Sequence, residues 1–215
     1  MSTHTPTPSA SARAGEATAT RTWDPSNFEA PDYYALDDLL SAEAKAIRDE
    51  VRAFVTSEVQ PVIEKYAQRS EFPRELIAEF ADLGLLGPVV PSEYGGGGHS
   101  GTIYGLMMQE VERGDSGLRS FCSVTGSLVM WPIWQYGTEA QKDRWLPQLA
   151  QGEAIGCFGL TEPEVGSNPS EMQTRCRREG DDWILSGHKR WSTNATIADV
   201  AVIWAKDEDG VVRGF

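Results

Sequence analysis

Residues 157–172 read CFGLTEPEVGSNPSEM. The stretch opens on a run that favours burial, Cys157-Phe158-Gly159-Leu160. It then breaks at once into Thr161, Glu162 and Pro163, and then into a Gly166-Ser167-Asn168 corner. Proline removes a backbone donor and glycine supplies dihedrals that other residues avoid, so the pattern predicts a strand that leaves its sheet into a shaped loop. The flanks of this stretch differ in period, and that difference sets the fold class.

Upstream, the apolar residues recur at helical spacing. Leu39, Leu40, Ile47, Val51, Phe54, Val55 and Val59 step by threes and fours behind Ser41, which predicts a helix capped at Ser41. Pro61 is expected to start a new turn or kink that helix. Leu76, Ile77, Phe80 and Leu83 form one face of a short helix after Phe72-Pro73, closed by Gly84. Helical pattern returns over 102–113 and 123–136. Thr138 and Gln141 have the spacing of a capping box at the head of a last helix. Downstream, the period drops to two. DDWILSGHKRWSTN and ADVAVIWAKDEDGVVRGF are short alternating or β-branched runs punctuated by Gly180-Asp181-Asp182, Ser186-Gly187 and Asp207 to Gly210, the marks of hairpins. The expectation is an α+β chain with a leader over 1–34, a helical domain over 35–153 and an antiparallel β-domain over 154–215. The last strand has barely begun at Phe215, so the chain reads as cut short.

Composition narrows the function. With 19 basic against 32 acidic side chains the net charge is −13, which opposes nonspecific attraction to nucleic acid or anionic lipid. No apolar run approaches the ~18 residues of a membrane span. Cys122, Cys157 and Cys176 are odd in number and lack CxxC spacing, so neither a disulfide framework nor a zinc site is expected, and reduced cytoplasm fits best. The Ser, Thr, Ala and Pro of the first 22 residues predict disorder, with a mitochondrial transit peptide as the competing reading. The four glycines at 95–98 lack the Lys-Ser or Lys-Thr of a phosphate loop, no GxGxxG occurs, and the histidines have no metal-ligand spacing.

Charge crowds into EVERGDSGLRS, residues 110–120. Two readings stand side by side: an ion-pair cluster on a solvated helix end, or an inward-reaching Arg119 that grips an anion through two parallel hydrogen bonds.

CFGLTEPEVGSNPSEM followed by GHKRWSTNATIADVAVIWAK resembles the flavin-binding segments of acyl-CoA dehydrogenases, and the likeness runs from about Tyr34 to Phe215, through PSEYGG and YGTEAQKDRWLPQLAQGE. Within that family ERGDSGLRS and CFGLTEP look most like the glutaryl-CoA branch. The resemblance implies FAD as cofactor, lined by Phe158, Gly159, Leu160, Thr161, Gly166 and Ser167, with the Thr161 hydroxyl at the pyrimidine edge. It implies Trp191, Ser192 and Thr193 along the ring, Trp191 by stacking. It implies Ser167 on the CoA portion of an acyl-CoA substrate, glutaryl-CoA favoured. Arg119, Ser120 and Ser123 would face the far end of the acyl chain, with Glu112 beside Arg119. An inward-facing Arg in an apolar site is costly without a partner, and a dicarboxylic acyl chain supplies one.

The family's base is a Glu in a C-terminal helical domain, beyond Phe215, so no catalytic residue is expected here and the chain alone is expected to be inactive. The resemblance further implies an electron-transfer flavoprotein as partner and a homotetramer. Two alternatives remain: a dehydrogenase of another short acyl-CoA, and a non-catalytic binding or assembly module. Two departures from the family pattern stand out, Asn168 where Asp is usual and Val165 where a small residue is common.

Overall fold

The computed structural model describes residues 32–215. The expected leader falls almost wholly outside the described residues. The chain divides into two compact units, Met1–Asp37 and Asp38–Phe215, and the architecture below is that of the second.

Ser41 caps α1 (Ala42–Phe54), its Oγ accepting from the Ala44 amide at 3.1 Å. The helix then passes through a π segment, Val55–Val59, into α2 (Gln60–Arg69). Pro61 explains the widening. A proline ring collides with the carbonyl four residues earlier, and a π turn moves that carbonyl aside. The Gln60 amide accordingly reaches back five residues to the Val55 carbonyl. The same solution recurs before Pro132: α5 (Ser116–Ser123) widens over Val124–Met130 and continues as α6 (Trp131–Tyr136), with the Trp131 amide on the Gly126 carbonyl.

Between these lie α3 (Ile77–Asp82) and α4 (Gly101–Gly114). Gly84, at φ 68°, ends α3 as expected, and the Leu85 amide returns to the Phe80 carbonyl. The last helix, α7 (Glu139–Ala150), starts with the predicted reciprocal bonds between Thr138 and Gln141. Val51, Val55, Phe80, Met107, Val111, Leu118 and Phe121 fill the core among these helices. Phe121 packs at 4.9 Å from Phe72 and 6.2 Å from Phe80, centroid to centroid.

Five strands follow: β1 (Gly156–Gly159), β2 (Arg175–Glu179), β3 (Asp182–Ser186), β4 (Val200–Lys206) and β5 (Val212–Gly214). The α+β class holds, but the sheet is mixed where a purely antiparallel one was expected. β2–β3 and β4–β5 are antiparallel hairpins. β1 runs parallel to β4, Gly156 opposite Val200 through Gly159 opposite Ile203, and β2 touches β4 in parallel at Arg175 and Lys206. Parallel neighbours need a long crossover, and residues 160–199 provide it. A second cluster, with Val90, Val129, Met130, Leu146, Leu149 and Val202, seats β4 on the helices. No described helix is long and apolar enough to cross a membrane.

Candidate functional site

The stretch after β1 takes its shape from one buried carboxylate. Glu162 accepts hydrogen bonds from the amides of Gln173 (2.5 Å) and Thr174 (2.9 Å), from the Thr174 hydroxyl, and from Lys189 Nζ at 2.9 Å. Burial alone would raise its pKa; the bonds from Thr174, Lys189 and the two amides outweigh that and hold it at about 2. The loop therefore folds back on itself between Glu162 and Thr174. Its tip, with Pro163, Glu164, Gly166, Ser167 and Asn168, faces solvent, while Met172 is fully buried on the return.

The second predicted segment lies directly against the first. The Arg190 amide donates to the Thr161 carbonyl at 2.8 Å, Lys189 Nζ to the Leu160 carbonyl at 3.0 Å, and Asn194 Nδ2 to the Gly156 carbonyl at 3.1 Å. Phe158, Gly159, Leu160 and Thr161 thus share one wall with Lys189 to Asn194. Trp191 stands out on that wall. The residue is 77% exposed, its φ is 60°, and the Arg190 guanidinium lies 4.5 Å from the ring centroid. A bulky residue at positive φ is strained and persists only where its surroundings fix it. An exposed indole so fixed, beside the half-buried Ser192 and Thr193, fits a planar ring ligand with polar edges.

The Arg119 group forms a separate arrangement on α4 and α5. Asp115 caps α5 through the Leu118 amide at 2.9 Å. Arg119 Nε donates to Glu112 at 2.6 Å and its Nη1 to Ser123 Oγ at 3.2 Å; Ser123 Oγ donates in turn to the Ser120 carbonyl. The bonds from Arg119 and then Ser116 hold the Glu112 carboxyl below its ordinary pKa. The Glu112 expected beside Arg119 is its ion-pair partner, and the Arg119 side chain is 37% exposed, which agrees with the reading of an ion-pair cluster on a solvated helix more than with an inward-reaching guanidinium.

A cleft of about 280 Å³ brings Thr193 and Asn194 opposite Asp115, Gly117 and Leu118 at the start of α5. It includes neither Arg119 nor the loop from Thr161 to Ser167. A larger, mostly apolar cleft of about 490 Å³, lined by Ile133, Tyr136, Trp145, Trp204 and Phe215 among others, contains none of the expected site residues. Cys122, Cys157 and Cys176 are buried free thiols whose pKa values burial pushes up. Sequence reasoning passed over Glu162 as a structural centre and did not single out Lys189. The available signal was a carboxylate set between apolar Leu160 and Pro163 in a stretch that begins buried.

Two family models match the chain: the acyl-CoA dehydrogenase N-terminal domain over residues 41–153 and the acyl-CoA dehydrogenase middle domain over residues 157–215. Among solved structures, a glutaryl-CoA dehydrogenase from Mycobacterium smegmatis in complex with FADH2 is 50% identical, with a TM-score of 0.82 over 85% of this chain and 47% of that one. The mitochondrial short-chain specific acyl-CoA dehydrogenase of Homo sapiens is 37% identical over 73% of this chain and 38% of its own. The glutaryl-CoA dehydrogenase of Desulfococcus multivorans is 35% identical over 79% of this chain and 44% of its own. The chain thus spans less than half the length of these relatives.

Proposed function

The chain belongs to the acyl-CoA dehydrogenase family, and from that premise we propose that it forms the flavin-facing and acyl-facing walls of an FAD enzyme that oxidises glutaryl-CoA. In this reading residues 35–153 are the helical domain and 154–215 the flavin-facing β-domain. FAD, when bound, accepts the hydride that leaves the acyl chain.

The chain's own residues bind and orient. Thr161 and the backbone beside it present fixed donors to the pyrimidine edge, where a reduced flavin gathers negative charge; donors held in place stabilise that charge without reorganising. When FAD and substrate bind, Trp191 would cover the ring, Thr193 would hydrogen-bond to it, and Ser167 would meet the CoA portion. Glu162 is not the base that takes the α-proton. Its carboxylate is already committed to four donors and has no reach to a substrate. In the same reading the oxidised acyl chain then loses its distal carboxylate as CO2 and takes up a proton to give crotonyl-CoA, the two electrons pass to an electron-transfer flavoprotein, and the assembly is a homotetramer.

The observation that carries the dicarboxylic substrate is Arg119. Glu112 and Ser123 orient its guanidinium, 37% exposed, in the middle of α5, and two of its donors are engaged. The remaining N–H groups suit a second carboxylate in bidentate geometry. A second reading, a monocarboxylic short-chain acyl-CoA, rests on the same pair: Glu112 already compensates the Arg119 charge, so no substrate carboxylate is required. Equilibrium titration with glutaryl-CoA and butyryl-CoA separates them. Arg119→Ala should weaken glutaryl-CoA by about tenfold or more while leaving butyryl-CoA unchanged. Equal losses on both would support the second reading.

A further inference from the structure

Glu162 and Lys189 are both nearly inaccessible, with side chains 4% and 11% exposed, and neither has a part in the function proposed above. They belong to different segments, 27 residues apart: Lys189 Nζ joins those segments through Leu160 and Glu162, while the other three bonds of the Glu162 side chain close its own loop at Gln173 and Thr174. We propose that Glu162 and Lys189 are a positioning pair that clamps the loop bearing Thr161 to the segment bearing Trp191, Ser192 and Thr193, so that the wall is set before the cofactor binds. The proposal rests on the flavin reading of that wall.

Three features support a clamp over a chance ion pair. First, the ammonium of Lys189 bridges both sides of Thr161, reaching the Leu160 carbonyl at 3.0 Å and Glu162 Oε1 at 2.9 Å. With the Arg190 amide on the Thr161 carbonyl itself, three consecutive residues of the loop are tied to two consecutive residues of the other segment. Second, the backbone is cleared for these contacts. A Cβ at Gly159 would lie 3.2 Å from Lys189 Cγ and 2.6 Å from Ile203 Cδ1. A Cβ at Gly187 would lie 2.3 Å from Thr174 Oγ1, the hydroxyl that donates to Glu162. Third, loop residues 160–174 form no sheet ladder before Thr174, so the amides of Gln173 and Thr174 have Glu162 as their acceptor. The buried amide of Thr174 needs such an acceptor, and breaking one half of a buried pair strands the other.

Hydrogen exchange on the flavin-free chain tests the clamp, using Lys189→Met, which keeps the length and apolar stem, and Lys189→Arg, which keeps the charge. In Lys189→Met the amides of Gln173, Thr174 and Arg190 should exchange about tenfold faster or more, with the amides of α1 and α4 unchanged. Lys189→Arg should stay within about threefold of the parent, a rescue that a mere space-filling role would not produce. FAD affinity, followed by flavin fluorescence, should fall in parallel: about tenfold for Met and little for Arg.

Equal exchange in the two variants, or a rise spread evenly over the helices, would overturn the clamp. Unchanged FAD affinity in a Lys189→Met protein whose loop has loosened would overturn its role toward the cofactor. Failure of the parent chain to bind FAD would count against the flavin reading instead, and the exchange data would still decide the clamp.

Discussion

The helical bundle and the loop after β1 each bury one glutamate, and each keeps it ionised by different means. Glu110, 1% exposed on α4, accepts from Arg52 on α1 at 2.7 and 3.1 Å and from Arg113 at 3.0 Å. Burial alone would raise its pKa, and the two arginines outweigh it. Those partners sit 49% and 39% exposed on regular helices that satisfy their own backbones. Glu162 lies where no regular element exists, so its partners are two loop amides, one hydroxyl and a buried lysine. A carboxylate on a helix joins elements that already stand. One in a loop substitutes for the missing ladder.

That contrast can be broken most directly by deletion. Glu162→Ala strands the buried amide of Thr174 and a buried ammonium, and should cost about 3–5 kcal/mol in chemical denaturation. Glu110→Ala frees arginines that can turn to water, and should cost less, about 1–3 kcal/mol. The reverse order would mean that the loop carboxylate is not the stronger tie.

Acid sharpens the same contrast. The folded-state pKa of Glu162, about 2, lies below its ordinary 4.5. Its contribution is therefore present in full above pH ~4.5 and is lost as pH falls toward ~2, up to about 3 kcal/mol in all. Stability measured across that window should decline less steeply in Glu162→Gln than in the parent. Identical slopes would show that the carboxylate is not held low by its partners.

The two regions also differ in how far they could be read from sequence. The Ser41 cap, the Thr138 and Gln141 pair and the Gly84 stop are local, decided by residues within a turn of one another, and all three appear as read. Glu112 and Arg119 lie seven residues apart across the break between α4 and α5, and their pairing was an expectation from the family resemblance; the exposure of Arg119 was not legible. The parallel pairing of β1 with β4 was missed because alternation identifies a strand without giving the direction of its neighbour. The partnership of Glu162 with Lys189 spans 27 residues and leaves no periodic trace. The positive φ of Trp191 was equally hidden, since nothing in an indole side chain calls for it.

The smallest structural change gives the most direct test of the account. Trp191 is already solvent-exposed, so Trp191→Ala removes little packing and should leave the fold's stability nearly unchanged. The flavin fluorescence of FAD titrated with the parent chain should be strongly quenched by stacking on the indole. In Trp191→Ala the bound flavin should recover most of that emission while FAD binds more weakly, by about tenfold. Quenching and affinity that survive the substitution intact would contradict the placement of the ring against Trp191, and with it the flavin-facing wall.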